Sequence, residues 1–276
     1  MNAKVVILLV IAVAAIGGGV YFFMWTSSNS TDYTLFDSDD NVKEGLTIEI
    51  EMKDHGVTAN HKNVVNSVKD GRVYSTITTK TDGMPVKSIT MDNFHNLFIE
   101  EFGFDFASGG HPGDVTIKQN EDIYEITGST VNNHSKYTFD LKVVYKDDKV
   151  ISVEGTIGNE PDYADEKETI TFNTVLGTLK ASMSKKETTT DDVALDRFLT
   201  YISPFDPDKF PDAEVSDGKL GNVNVKIYTV DGTYDGIDYI DVNMYVYNGH
   251  LLKQEGKIID DGQEYQTYLL LKIRQA

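Results

Sequence analysis

Six histidines are the side chains most open to chemistry in this chain: His55, His61, His95, His111, His134 and His250. None stands in an H-x-x-x-H or H-E-x-x-H pattern, and with no cysteine there is no thiolate to complete a zinc site. Each reads as an ordinary surface or loop residue. Carboxylates are plentiful. Asp37-Ser38-Asp39-Asp40-Asn41 and Asp206-Pro207-Asp208, with Asp212 and Glu214 close behind, carry hard oxygen ligands. A helix–loop–helix calcium loop needs Asp-x-Asp-x-Asp-Gly and a Glu at its twelfth position, which neither segment supplies.

Ser108-Gly109-Gly110-His111 puts a nucleophile type and a base type in one glycine-rich loop. Adjacency in sequence does not make a hydrogen-bonded pair, and no orienting acid is identified. There is no Gly-x-Ser-x-Gly and no phosphate-cradling glycine loop. Paired carboxylates for sugar hydrolysis do not stand out among 44 acids. The sequence therefore assigns no catalytic, cofactor-binding or metal residue, implies no cofactor, and leans away from an enzyme. Tyr245 and Tyr247 lie opposite Met244 and Val246 along one strand, and Tyr268 opposite Leu269 and Leu271. On an outer sheet face such tyrosines serve either as a binding platform or as half-covered strand residues.

The net charge is −19, from 44 acidic against 25 basic residues. A nucleic-acid binder needs a basic stripe to displace counterions from phosphates, and Lys185-Lys186 is the one basic pair that stands out. Nucleic acid is excluded as a partner, and an anionic lipid surface would repel the acidic part. Solubility explains much of the acidity; cation binding, a cationic partner or a salty habitat are the functional readings.

The elements that would position any site begin with a membrane segment. Val5–Trp25 carries no charged side chain, and about 21 helical residues span about 31 Å, the thickness of a bilayer's hydrocarbon. A cleaved signal peptide has a shorter apolar core and a small-x-small site, whereas here the run continues into Val20-Tyr21-Phe22-Phe23-Met24-Trp25, aromatics suited to the membrane boundary. Lys4 precedes the segment, and Asp32, Asp37, Asp39 and Asp40 follow it, so the positive-inside bias places residues 1–4 in the cytoplasm and the rest outside. Residues 26–44 read as an acidic polar tether. Asn29-Ser30-Thr31 and Asn133-His134-Ser135 are glycosylation tripeptides.

From Leu46 the pattern alternates as half-buried strands do. Strands are expected at Leu46–Met52, Arg72–Thr79, Pro85–Met91, Asp122–Thr127, Tyr137–Tyr145 and Lys149–Ile157. Others are expected at Thr169–Thr174, Leu176–Ser184, Val223–Val230, Ile237–Tyr247, His250–Ile258 and Glu264–Ile273. Turn signals separate them at Asp70-Gly71, Asp82-Gly83, Asp147-Asp148, Asp231-Gly232, Asn248-Gly249 and Asp261-Gly262. Apolar spacing predicts helices over Asp92–Phe102, capped by Asp92 and stopped by Gly103, and over Asp191–Ile202, capped by Thr190 or Asp191 and closed by Pro204.

A shift of about 100 residues aligns the two halves. Phe98 falls on Phe198, Phe104-Asp105 on Phe205-Asp206, and the row Phe139, Leu141, Val143, Tyr145 on Ile240, Val242, Met244, Val246. Asp147-Asp148 falls on Asn248-Gly249, and Glu154-Gly155 on Glu255-Gly256. The expected fold is mainly β (α+β): an N-terminal transmembrane helix, then a duplicated antiparallel meander over 45–159 and 160–276, each half with one amphipathic helix on its sheet. The order of elements resembles the half-barrel lipoprotein carriers of cell envelopes and tandem cystatin-like modules; the resemblance is one of order and carries no site. The function expected is a membrane-anchored extracytoplasmic binding module. The alternatives are a carrier or sensor of an apolar ligand held between sheet and helices, and a hydrolase with an unrecognised site. A filled core with an exposed apolar patch would favour the first, an apolar cavity the second, and a cleft of converging titratable groups the third.

Overall fold

The computed structural model describes residues 33–275 apart from 110 and 112. The expected tail (1–4), the segment Val5–Trp25 expected to cross the membrane, and Asn29-Ser30-Thr31 lie outside the described residues. Among those described, no helix is long and apolar enough to cross a membrane. The described residues divide into two compact units: a split unit made of residues 33–76 and 191–275, and a continuous unit, Ile77–Thr190.

The strands are β1 (Leu46–Asp54), β2 (Val57–Lys69), β3 (Arg72–Pro85), β4 (Asp114–Asn120), β5 (Ile123–Asn132), β6 (Ser135–Lys146) and β7 (Lys149–Pro161), then β8 (Glu166–Val175), β9 (Thr178–Ala194), β10 (Glu214–Leu220), β11 (Val223–Tyr234), β12 (Ile237–Tyr247), β13 (His250–Asp260) and β14 (Gln263–Gln275). They form one antiparallel sheet in the order β10-β11-β12-β13-β14-β1-β2-β3-β9-β8-β7-β6-β5-β4. The division expected after residue 159 falls inside β7. The first strand belongs with the last, because β1 pairs with β14 (Ile48 opposite Ile273) as well as with β2 (Ile48 opposite Asn63).

In the split unit, the segment expected as a tether is folded from Tyr33 onward. Two 3-10 turns, Thr34–Asp37 and Asp39–Asn41, place Tyr33, Leu35, Phe36 and Val42 in a core with Ile48, Val65, Leu252 and Leu271. The Tyr33 hydroxyl donates to the Leu271 carbonyl (2.8 Å). The apolar residues follow no regular period, because a 3-10 turn and its flanks are too short to set one. The helix expected at Asp191–Ile202 shrinks to α2 (Leu195–Phe198) and a 3-10 turn, Leu199–Tyr201. Residues 191–194 instead extend β9: Arg72 Nε donates to Asp192 Oδ1 (2.6 Å), and the Leu195 N–H to the Gly71 carbonyl (2.9 Å). Ala194, not Thr190 or Asp191, is the N-cap.

The continuous unit packs β4–β8 against α1 (Phe94–Phe102). Phe98 meets Phe102, Phe104 and Phe106 edge-on, with centroids 4.9–5.2 Å apart, the arrangement that ring quadrupoles favour. Gly103 ends α1 in the left-handed conformation (φ 76°), returning its N–H to the Ile99 carbonyl. The N-cap is Asn93 rather than Asp92; its side chain is committed to Thr90 N–H and Ser88 carbonyl. The strand expected at Pro85–Met91 is a loop beyond β3, held at Val86 by its N–H to the Ala181 carbonyl.

Four of the six expected turns are two-residue hairpin turns with positive φ: Asp70-Gly71, Asp147-Asp148, Asn248-Gly249 and Asp261-Gly262. Asp82-Gly83 lies within β3, and Asp231-Gly232 marks a bulge between Val230 and Gly232 of β11. A second irregularity sits at Asp241 (φ 49°) on β12. It reverses the alternation, so Tyr239 and Val242 point into the core and the expected Ile240 does not. Hairpins β6–β7 and β12–β13 share a feature. Val144 and Tyr145 oppose Ser152 and Val150, skipping Ile151; Tyr245 and Val246 oppose Lys253 and Leu251, skipping Leu252.

Candidate functional site

The structure engages five of the six histidines and leaves His111 exposed. His250 is buried, stacked on Phe36 at 4.0 Å, with Nδ1 2.6 Å from the Ile202 carbonyl; burial pushes its pKa down. His61 faces the Ile50 side of β2, and burial lowers its pKa too. His134, in the β5–β6 turn with exposed Asn133, sits 3.4 Å from Asp162. Among the described residues, no group of three or more His, Asp or Glu side chains is arranged to hold a metal ion.

His95 and His55 each bridge two partners. In the continuous unit, His95 Nε2 is 2.8 Å from Asp105 Oδ1, and the Tyr145 hydroxyl 3.3 Å from Nδ1. Asp105 also accepts the Ala107 N–H at the start of a 3-10 turn, Phe106–Ser108. Partial burial pushes Asp105 up, but the bonds from His95 and Ala107 outweigh it and hold the carboxyl below its usual range. A neutral His95 satisfies both neighbours, donating to the carboxylate and accepting from the phenol. The acid that orients a histidine is therefore Asp105, and its histidine is His95 rather than His111. Ser108 Oγ donates to the Asp105 carbonyl instead (3.0 Å). In the split unit, His55 Nδ1 lies 2.5 Å from Asp54 Oδ1 and Nε2 2.9 Å from Asp260 Oδ2.

The carboxylates singled out in the sequence separate in the fold. Asp37 accepts from Tyr247 and Asn248, and Asp206 caps the 3-10 turn Pro207–Lys209. Asp212 and Glu214 join Thr229, Asp231 and Asp241 around a concavity of about 250 Å³, whose acids repel one another and favour a cationic visitor. Lys185, of the basic pair that stands out in the sequence, meets Glu166, Glu168 and Glu187 of β8 and β9 at 2.8, 3.8 and 3.5 Å. Burial lowers its pKa, but the three glutamates outweigh that and raise it. This is a charge-holding arrangement, not a depressed, nucleophilic lysine.

Tyr247 donates to Asp37 of the first 3-10 turn. Tyr245 donates to Glu255 (3.1 Å) beneath Lys253, and Tyr268 sits on β14 opposite Lys53 and Glu255. A different surface is open. The β8–β9 turn is Leu176-Gly177, and Leu176 is the one aliphatic residue with positive φ (52°) among those described. It is 100% exposed, with Val175 44% and Ile151 51% exposed. Continuing the β7–β8 register from Gly155 opposite Phe172 brings Ile151 level with Leu176. A left-handed conformation costs an L-residue about 1–2 kcal/mol, and an exposed leucine recovers none of it in packing. Compared with known proteins, the chain matches no family model, no curated protein and no solved structure.

Proposed function

We propose that this chain is a membrane-anchored, extracytoplasmic interaction module without catalytic activity. Val5–Trp25 holds it in the bilayer, residues 1–4 lie in the cytoplasm, and the β8–β9 turn of the continuous unit engages a partner protein. The observation that carries the reading is Leu176: fully exposed, conformationally unfavourable, and flanked by exposed Val175 and Ile151. The Asp147-Asp148 turn of the neighbouring hairpin and the net charge of −19 suit a partner that presents an apolar side chain among basic ones.

The two halves are duplicates in this reading. Its support is the skipped Ile151 and Leu252, the positive-φ turns Asp147-Asp148 and Asn248-Gly249, and the 3-10 turns capped by Asp105 and Asp206. A carrier of an apolar ligand is the second reading. Ser75 Oγ and Asn63 Oδ1 are buried without hydrogen-bond partners near the apolar Ile48 and Val73, and an amphiphile's polar head would satisfy them.

Because the chain has no cysteine, Thr178→Cys gives a single handle beside the turn. A membrane-impermeant maleimide carrying a photo-crosslinker, added to intact cells, should label it and yield one protein adduct that disappears in a Leu176→Asp background. Labelling only after lysis overturns the topology. Labelling without an adduct, or an adduct indifferent to Leu176→Asp, overturns the interaction.

A further inference from the structure

Asp54 closes β1, His55 (φ 50°) forms the β1–β2 turn with Gly56, and Asp260 closes β13 just before the Asp261-Gly262 turn. His55 thus joins two hairpins of the split unit. Both its nitrogens contact carboxylate oxygens, at 2.5 Å to Asp54 and 2.9 Å to Asp260. A neutral imidazole has one N–H and one lone pair. With both aspartates ionised and His55 neutral, one nitrogen lone pair would face oxygen lone pairs. The closed arrangement needs one proton more, on the ring or on a carboxyl. His95 needs none, because one of its two neighbours is a hydroxyl donor.

Among the described residues, no lysine or arginine forms an ion pair with Asp54 or Asp260. Tyr265 of β14 lies 4.3 Å from the His55 ring, and Tyr239 of β12 is raised by burial and by Asp235 and Asp54. Lys257, further along β13, is engaged by Glu264 at 2.7 Å. Asp54 Oδ1 is buried and makes no well-angled hydrogen bond, although His55 Nδ1 lies 2.5 Å away.

We propose that Asp54, His55 and Asp260 form a proton-held clasp between the β1–β2 and β13–β14 hairpins, closed in acid and loosened as the pH rises. Burial, against the opposing pull of His55, pushes the Asp54 carboxyl up to about 6 from 3.8. A folded-state value above the unfolded one means that the stabilisation is fully present below about pH 4 and lost as the pH rises through about 6.

The test is denaturation of the full-length chain in detergent between pH 4 and pH 8, with Asp54→Asn and Asp260→Asn beside the wild type. A carboxyl raised that far should change the ratio of wild-type to Asp54→Asn unfolding constants about a hundredfold between pH 4 and pH 7. Asp260→Asn supplies an amide donor to His55 and removes a charge that raises Asp54, so it should flatten the wild-type profile. Hydrogen exchange at residues 54–57 and 260–263 of the wild type should lose protection across pH 6, a reading that stands even if Asp54→Asn does not fold. Parallel pH profiles for the wild type and Asp260→Asn, or protection unchanged from pH 5 to pH 8, overturn the clasp.

Discussion

Gly155 lies so close to Asp140 on the neighbouring strand that a Cβ at position 155 would fall 2.0 Å from the Asp140 carbonyl oxygen. Gly256, on the hairpin of the split unit, meets Asp241 and Val242 in the same way, with Val242 Cα at 2.6 Å. Both glycines have positive φ, 116° and 153°. Gly155→Ala and Gly256→Ala should each cost about 2–5 kcal/mol, since they add overpacking to backbone strain. Gly249→Ala meets nothing within 4 Å and should cost about 1 kcal/mol, from strain alone. Chemical denaturation distinguishes them; equal losses at all three positions would remove the close approach as the cause.

Leu176→Asn should raise stability, by about 1 kcal/mol, because asparagine tolerates the left-handed conformation and no packing is lost. The same change should abolish the partner adduct proposed for the β8–β9 turn. Stability gained and binding lost together would mark the leucine as kept for contact. A stability loss would mean that Leu176 packs on something in the folded chain.

Met244 and Asn243 test the faces of β12. Met244 is 3% exposed, in a core with Val230, Tyr239, Val242 and Ile258. Asn243 points the other way and accepts from Thr229 Oγ1 at 2.9 Å. Met244→Asp buries an unpaired carboxylate at several kcal/mol, comparable with a domain's whole stability of about 5–15 kcal/mol, and should unfold the split unit. Asn243→Asp keeps the acceptor and should leave the fold intact. Circular dichroism melts of the two variants decide it, and similar midpoints would show the faces misassigned.

What was legible in the sequence follows from how local each signal is. Asn248-Gly249 and Asp261-Gly262 specify their turns through their own backbone preferences. Gly103 stops α1 for the same reason. The same Asp-Gly pair at 82–83 and 231–232 lies within strands, because the partner strand decides whether a flexible pair turns or bulges. β2 is not legible in the sequence because it carries His61 and Asn63 on the face of Ile50 and Ile48, so polarity does not alternate. β4 and β10 are short edge strands bearing Lys118 and Asp217-Gly218, residues that blunt an edge and also blur its pattern. The pairings of His55 with Asp260, His95 with Tyr145, and Lys185 with Glu166 join residues on different elements; composition shows the partners, and only register brings them together.

The continuous unit begins and ends side by side: Thr78 and Thr188 approach at 3.5 Å through their hydroxyls. The split unit's core draws on both Ile48 and Leu271, so it stays incomplete until the last strand has left the ribosome. The unit encoded in the middle is complete earlier. Its closure brings Thr78 and Thr188 together, which shortens the effective loop the late strands must close to reach their early partners. For β1, one neighbour, β2, follows at once, while the other, β14, is the last of the described strands to be made.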